Sequence, residues 1–424
     1  MVKRGLMLAA LLAFAPAAFA QEGPRANSEL NQMCRADLGA LWGVSLCGPL
    51  LVVEPASRAV WASEPDGEGI LSAEGEGFTG LLPEGVGVAN TRMHWAGKNW
   101  IMVLNPLPED ATERRVLLAH EAFHLAQEAL GYSAQNVPNA HLASERGRTL
   151  LRLEMRALAT ALRSRGLGQR RAMQDALVLR AARQAAFPSA RAEEATLERN
   201  EGLASYTGVR LGAGAGAHDY ALRTLDAFDR HDSFVRAYAG ATVPAYGLLL
   251  DAYRPRWRLE LGANAPADIL IPIAAPPAAT ARIVAEASAR YGGPQIAAEE
   301  RARAEAQALR LAALRAAYAG PRLELALTSP RFEFNPNRIT PIEGLGSHYE
   351  VLTLRDVWGT LVAEAGALIG SDFRSAIAAA PGPDGLSGPG WTLTLAPGWM
   401  LAPPAGEAPW RVIPAPAEPL PAPE

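Results

Sequence analysis

Cysteine is scarce in this chain of 424 residues: there are two, which excludes an all-cysteine zinc or iron–sulfur site. An excess of positive charge is also missing. Forty basic against 44 acidic residues give a formal net charge of −4, so there is no electrostatic case for nucleic-acid binding. After the first twenty residues no run reaches the length of a membrane span, and no stable span is expected. With 33 prolines and 39 glycines, long uninterrupted coiled coils are unfavourable. No internal repeat is visible. The glycine-rich run Gly212-Ala213-Gly214-Ala215-Gly216 lacks the Lys-Ser/Thr that a phosphate loop needs, and reads as a flexible loop. What is there, 49% hydrophobic and 20% charged residues, suits a globular protein of two or three domains and excludes a disordered or collagen-like one.

The start of the chain reads as an address. Lys3 and Arg4 precede an uncharged apolar run, Gly5 to Ala15. Pro16 breaks that run, and Ala18-Phe19-Ala20 places small residues where a signal peptidase would cut before Gln21. Residues 1–20 are therefore expected to be a signal peptide, and the mature protein periplasmic or secreted. Cys34 and Cys47 fit an oxidising compartment, where a lone pair is expected to form a disulfide. They lack the C-x-x-C spacing of a redox-active pair.

Residues 21–110 read as a mixed α/β region. A short helix around Leu38 and Leu41 leads to Cys47, and strands flank Pro55-Ala56-Ser57. Thr91 to Trp95 and Trp100 to Leu104 flank Ala96-Gly97-Lys98-Asn99, a hairpin signal. From 111 to 271 the pattern is helical. Asp110 and Glu113 resemble a capping box, and Gly131 is a natural helix stop. Further helices are predicted over 143–165, 169–186, 190–208 and 219–253, the last interrupted near Pro244. Residues 272–320 read as a proline-containing linker and an Ala/Arg/Glu helix with a solvated charged face. A small β-rich domain follows over 321–412, with segments such as Tyr349 to Leu354 and Leu361 to Ile369. A proline-rich tail, 413–424, closes the chain. The predicted class is α+β.

Chemistry concentrates at His120-Glu121-Ala122-Phe123-His124, an H-E-x-x-H motif inside a helical pattern. Positions i and i+4 share a helix face, so two imidazoles can grip one zinc ion while the glutamate between them reaches water at the metal. A catalytic zinc site wants a third protein ligand. No H-x-x-G-x-x-H continuation follows, which argues against metzincins. Downstream lies Asn200-Glu201-Gly202-Leu203-Ala204-Ser205-Tyr206-Thr207-Gly208.

With that segment the chain resembles the gluzincin group of zinc metallopeptidases, in the broader peptidase MA-like families. The resemblance covers about 100 residues and implies one Zn²⁺ held by His120, His124 and Glu201, with Glu121 as general base. It also implies a zincin-like catalytic domain and a peptide or protein substrate. Two departures stand out. The interval from His124 to Glu201 is much longer than in thermolysin-like enzymes, and the aspartate that orients a zinc histidine there falls at Ser205. Glu198 stays open as the alternative ligand, whereas Glu194 reads as a solvated helix glutamate. Glu154, on an apolar helix face, is either an outer partner of a zinc histidine or half of an ion pair with an arginine. For the oxyanion donor, Tyr246 beside Pro244 is preferred among Tyr206, Tyr238, His218 and His231. His94, His141 and His348 carry no supporting spacing. Trp95 and Trp100 either line a peptide cleft or pack in a sheet, and packing is favoured. The competing reading of the whole chain is a catalytically silent zinc-binding scaffold of the cell envelope. Oligomeric state is open.

Overall fold

The computed structural model describes residues 15–132, 135, 137–335, 338–404, 406 and 408–416, with side chains from Gln21 onward. Residues 1–14 of the expected signal segment and 417–424 of the tail lie outside the described residues. The class is α+β. Contacts divide the chain into two units, Met1–Arg301 and Ala302–Glu424. No described helix is long and apolar enough to cross a membrane.

In the first unit, helix α1 (Ala15–Asp37) runs through the expected cut after Ala20. It buries Ala26, Leu30, Met33 and Cys34. Leu38 and Gly39 end it with φ of 49° and 74°, so the short helix expected around Leu38 and Leu41 is a run of turns, and the helix precedes it. Cys34 and Cys47 form the disulfide, with Cα atoms 5.2 Å apart. Replacing both cysteines by serine is expected to cost about 3 kcal/mol, because the open chain regains the entropy of a short closed loop. The midpoint of chemical denaturation measures it, and an unchanged midpoint would remove the staple from the account.

Six strands follow: β1 (Leu50–Val53), β2 (Ala59–Ala62), β3 (Ser72–Glu74), β4 (Gly77–Leu81), β5 (Thr91–Trp95) and β6 (Lys98–Leu104). Their order is β3-β4-β2-β1-β6-β5, which leaves β5 at an edge. β1 and β6 run parallel and the other neighbours antiparallel. The two-residue side-chain period splits these strands between two cores. Leu50, Val52, Ile101 and Val103 face the helices. Leu51, Val53, Trp95, Trp100 and Met102 face the other way. The hairpin is tighter than its sequence suggests. Trp95 pairs with Lys98, and Ala96 and Gly97 alone make the turn, with φ of 50° and 71°, as a type I′ turn requires.

Helix α2 (Ala111–Ala126) starts at Asp110, whose carboxylate accepts from the backbone N–H of Thr112 and Glu113 at 2.8 and 2.9 Å. The reciprocal half of the predicted capping box is absent, because Glu113 instead accepts from the Tyr220 hydroxyl at 2.6 Å. Then come α3 (Glu145–Arg163), α4 (Gly166–Ala186) and α5 (Ala190–Leu197). α5 continues through a π-helical turn, Glu198–Gly202, into α6 (Leu203–Gly208), and a second π turn spans Val209–Ala213. A side chain at Gly208 or Gly212 would strike the backbone of Val116, at 2.6 and 2.4 Å. These two glycines let α6 and its extension lie against α2 one turn before His120. The glycine run read as a flexible loop is thus helical; packing on Val116 accounts for Gly212, whereas Gly214 and Gly216 have open space around them.

α7 (Ala217–Phe228) and α8 (Ala239–Tyr253) follow. The break falls at 229–238, and Pro244 sits inside the buried α8. α9 (Pro266–Ala274) runs into the predicted linker, α10 (Ala281–Arg290) forms within the same 272–320 region, and α11 (Gly293–Ala319) is the predicted Ala/Arg/Glu helix. Up to Arg301 that segment is integral to the first unit. Ala274, Ala287 and Ile296 join its core, and Arg290 and Tyr291 hold Asp175 at 2.6 and 3.0 Å. The charged face of α11 is not wholly solvated either. Glu300 is buried and accepts from Arg148 and Arg152 at 2.6 and 2.9 Å.

The second unit stacks two sheets. One has the order Trp399–Ala402, Trp410–Pro414, Arg322–Ala326, Ser375–Ala379, Ala367–Ile369, Gly346–Tyr349, Ile339–Ile342. The other runs Ser387–Gly388, Trp391–Leu395, Gly359–Ala363, Leu352–Asp356, Arg331–Phe334. Leu323, Leu325, Leu352, Leu354 and Leu361 share the core between them. Two predicted strands are therefore each divided. Tyr349 to Leu354 and Leu361 to Ile369 cross from one sheet to the other, the second through Gly366 at φ 104°. Continuous apolar patterning cannot reveal such a crossing, since both halves face the same core.

Candidate metal centre

His120 and His124 occupy the last two turns of α2, and Glu201 the π turn between α5 and α6. A π turn re-aims side chains relative to a regular helix and often marks a functional site. Here it turns Glu201 toward α2. His120 Nε2 and His124 Nε2 are 3.1 Å apart, and each lies 3.6 Å from Glu201 Oε2. A tetrahedral zinc ion with bonds of about 2.0–2.1 Å separates its ligand atoms by about 3.3 Å. The three donor atoms already stand at nearly that spacing. They are the only such group of metal-binding side chains among the described residues.

Hydrogen bonds fix which atoms face inward. Glu201 Oε1 can only accept, and it accepts from Asn200 Nδ2 at 3.2 Å. Asn200 Oδ1 then faces Gln127 Nε2 at 2.9 Å. That leaves Gln127 Oε1 to accept from His124 Nδ1 at 2.8 Å. With its proton committed to Nδ1, His124 presents a lone pair at Nε2. On His120, Nδ1 meets the Ser205 hydroxyl at 3.3 Å. The Ser205 hydroxyl can donate or accept, so it leaves the His120 tautomer open. With His120 also protonated on Nδ1, all three inward-facing atoms are acceptors and a cation between them satisfies the arrangement. Without metal the protein supplies protons. The two imidazoles 3.6 Å away hold Glu201 well below the usual carboxylate range. Burial works against a charged His124, yet its hydrogen bonds to Glu201 and Gln127 still raise its pKa.

Glu121 is 4% exposed, and its Oε2 has no hydrogen-bond partner. Burial raises its pKa, and the nearby imidazoles only partly offset this. It lines a cleft of about 800 Å³ together with both histidines and Glu201. The edge strand β5, with the residues just before it, forms one wall through Asn90, Thr91 and Arg92, and Tyr132 and Arg236 lie on the lining as well. Arg92 reaches Glu128 at 2.6 Å.

Known protein families, characterised proteins and solved structures offer no match to this chain.

Several sequence-predicted residues lie elsewhere. Tyr246 is fully buried and donates to Glu154 at 2.8 Å, so it does not reach the cleft. Glu198, the alternative ligand, is fully buried and clamped by Arg180 at 2.6 and 2.9 Å. Glu194, read as solvated, is also fully buried, held by Arg183 at 2.6 Å and by His141 at 2.8 Å. Glu154 pairs with Arg183 and touches neither His120 nor His124, so its ion-pair reading holds. Tyr206 donates to Asp251, Tyr238 to Glu198, and His218 and His231 are exposed outside the cleft. Trp95 and Trp100 pack on the sheet face away from the helices. The sequence reading overlooked Gln127, Asn200, Tyr132 and Arg236. Gln127 alone had a local signal, being three residues after His124 on the same helix.

Proposed function

We propose that this chain is an exported zinc-dependent metallohydrolase, most simply a peptidase of the gluzincin type acting on peptide or protein substrates. The observation that carries the reading is the meeting of three potential ligand atoms, from His120, His124 and Glu201, with a buried, unpartnered carboxylate in one open cleft. Two imidazoles and one carboxylate suit zinc. When bound, zinc supplies Lewis acidity, polarising a carbonyl and making water easier to ionise. Glu121 Oε2 takes the proton from the attacking water and later delivers it to the leaving amine. Its raised pKa and lack of partners keep it basic enough to do so. Tyr132 and Arg236 take the place assigned to Tyr246 as donors to the oxyanion. Burial raises the pKa of the Tyr132 phenol, which therefore keeps its proton.

The open cleft favours an enzyme over a silent zinc-binding scaffold, in which the fourth coordination position would be covered. The disulfide accords with a periplasmic or secreted location. Elemental analysis of protein purified without added zinc tests the metal reading. One zinc per chain is expected, lost in His124→Ala. Folded wild-type protein free of metal would end the proposal.

A further inference from the structure

Around both imidazoles the outer partners are uncharged. His120 Nδ1 meets the Ser205 hydroxyl, and His124 Nδ1 the Gln127 amide oxygen. The relay from Gln127 through Asn200 stays neutral until it ends on Glu201 Oε1. Glu121 stands in the cleft itself and bonds to neither imidazole; the buried carboxylates beneath the site are committed elsewhere, Glu198 to Arg180, Glu194 to Arg183 and His141, and Glu154 to Arg183. A carboxylate on the far nitrogen of a metal-binding histidine raises the basicity of the ligand nitrogen, and such partners commonly change metal affinity 10–100-fold.

Resting on the metal reading above, we infer that Ser205 and the Gln127–Asn200 pair are positioning residues that orient the donor set without adding negative charge. They hold affinity for the cation below what the same three ligands could reach, and Ser205 is the position that sets it. The bound ion then keeps more of its positive charge, countered within the donor set by Glu201 alone. It also exchanges more readily.

The test compares Ser205→Asp with Ser205→Asn, which match in size and differ in charge. Affinity for Zn²⁺ is read by chelator competition, and the donor set by the visible spectrum of the Co²⁺ form. Ser205→Asp is expected to bind Zn²⁺ about tenfold more tightly than Ser205→Asn, with Ser205→Asn close to wild type. A structural disturbance would not raise affinity. Equal affinities in two folded variants would overturn the inference while leaving the metal site intact. Wild-type protein that binds no stoichiometric Zn²⁺ would instead remove the metal reading, and this inference with it. If Ser205→Asp fails to fold, Gln127→Glu places the carboxylate on His124 Nδ1. It too is expected to bind more tightly than wild type, and a failure to do so overturns the inference.

Discussion

Glutamine in place of Glu121 is expected to lower hydrolysis by about 10²–10⁴-fold, the usual worth of a positioned general base, while zinc stays at one ion per chain. The amide keeps the size of the side chain and its place in the cleft but takes no proton at neutral pH. Glu121 supplies none of the three inward-facing donor atoms, so metal content should not fall. Turnover of a mixed peptide library, read alongside elemental analysis, checks both halves. Unchanged turnover would refute the assigned base.

A second readout follows from the buried, unpartnered carboxylate. The folded-state pKa of Glu121 is raised above its ordinary value of 4.5. Folding of the metal-free protein therefore loses stability as pH rises from about 4.5 through the folded value, and none is lost below about 4.5. Metal-free Glu121→Gln should melt higher than metal-free wild type at neutral pH, and the two should converge in acid. Higher stability with lost activity is the mark of a group retained for chemistry.

The second large effect lies beneath the site. Arg180 and Arg183, from α4, are surrounded by Glu154, Glu194 and Glu198, and all five side chains are at most 5% exposed. This cluster anchors α5 and the π turn that aims Glu201. Arg183→Met is expected to cost about 3–5 kcal/mol, because it strands buried carboxylates without their partner. The pH dependence has a definite sign. Burial alone would raise the pKa of Glu194, but Arg183, His141 and Arg180 together hold it far below its ordinary 4.5. The stability this contributes is fully present above about pH 4.5 and drains away as pH falls toward the depressed folded value. The deficit of Arg183→Met should therefore be largest at neutral pH and shrink in acid. Denaturant titrations at both pH values measure it, and a deficit independent of pH would show that packing, not charge, dominates.

Glu198 behaves oppositely although it lies one turn from Glu194 on the same helical run. Burial raises its pKa, and Arg180 does not fully compensate. Two glutamates alike in sequence thus differ because one meets Arg183 and His141 while the other meets a single guanidinium.

By itself the sequence determined what depends on neighbours a few residues apart. Two histidines four positions apart on a helix must share a face, and Asp110 two and three residues before free N–H groups must cap them. A glycine-containing turn between two strand-like runs must make a hairpin, although its two-residue length came from the structure. Local geometry supplies those answers with no knowledge of the rest of the chain. Only the tertiary structure decided which glutamate meets the imidazoles. Glu198 and Glu201 sit on one helical run, and the π turn together with Gly208 and Gly212 against Val116 sends one toward α2 and the other to Arg180. The same holds for Tyr246, for the outer partners Ser205 and Gln127, and for strands that pass between two sheets over one core. In each case the choice rests on contacts between segments far apart in sequence, where burial and charge pairing outweigh any local preference.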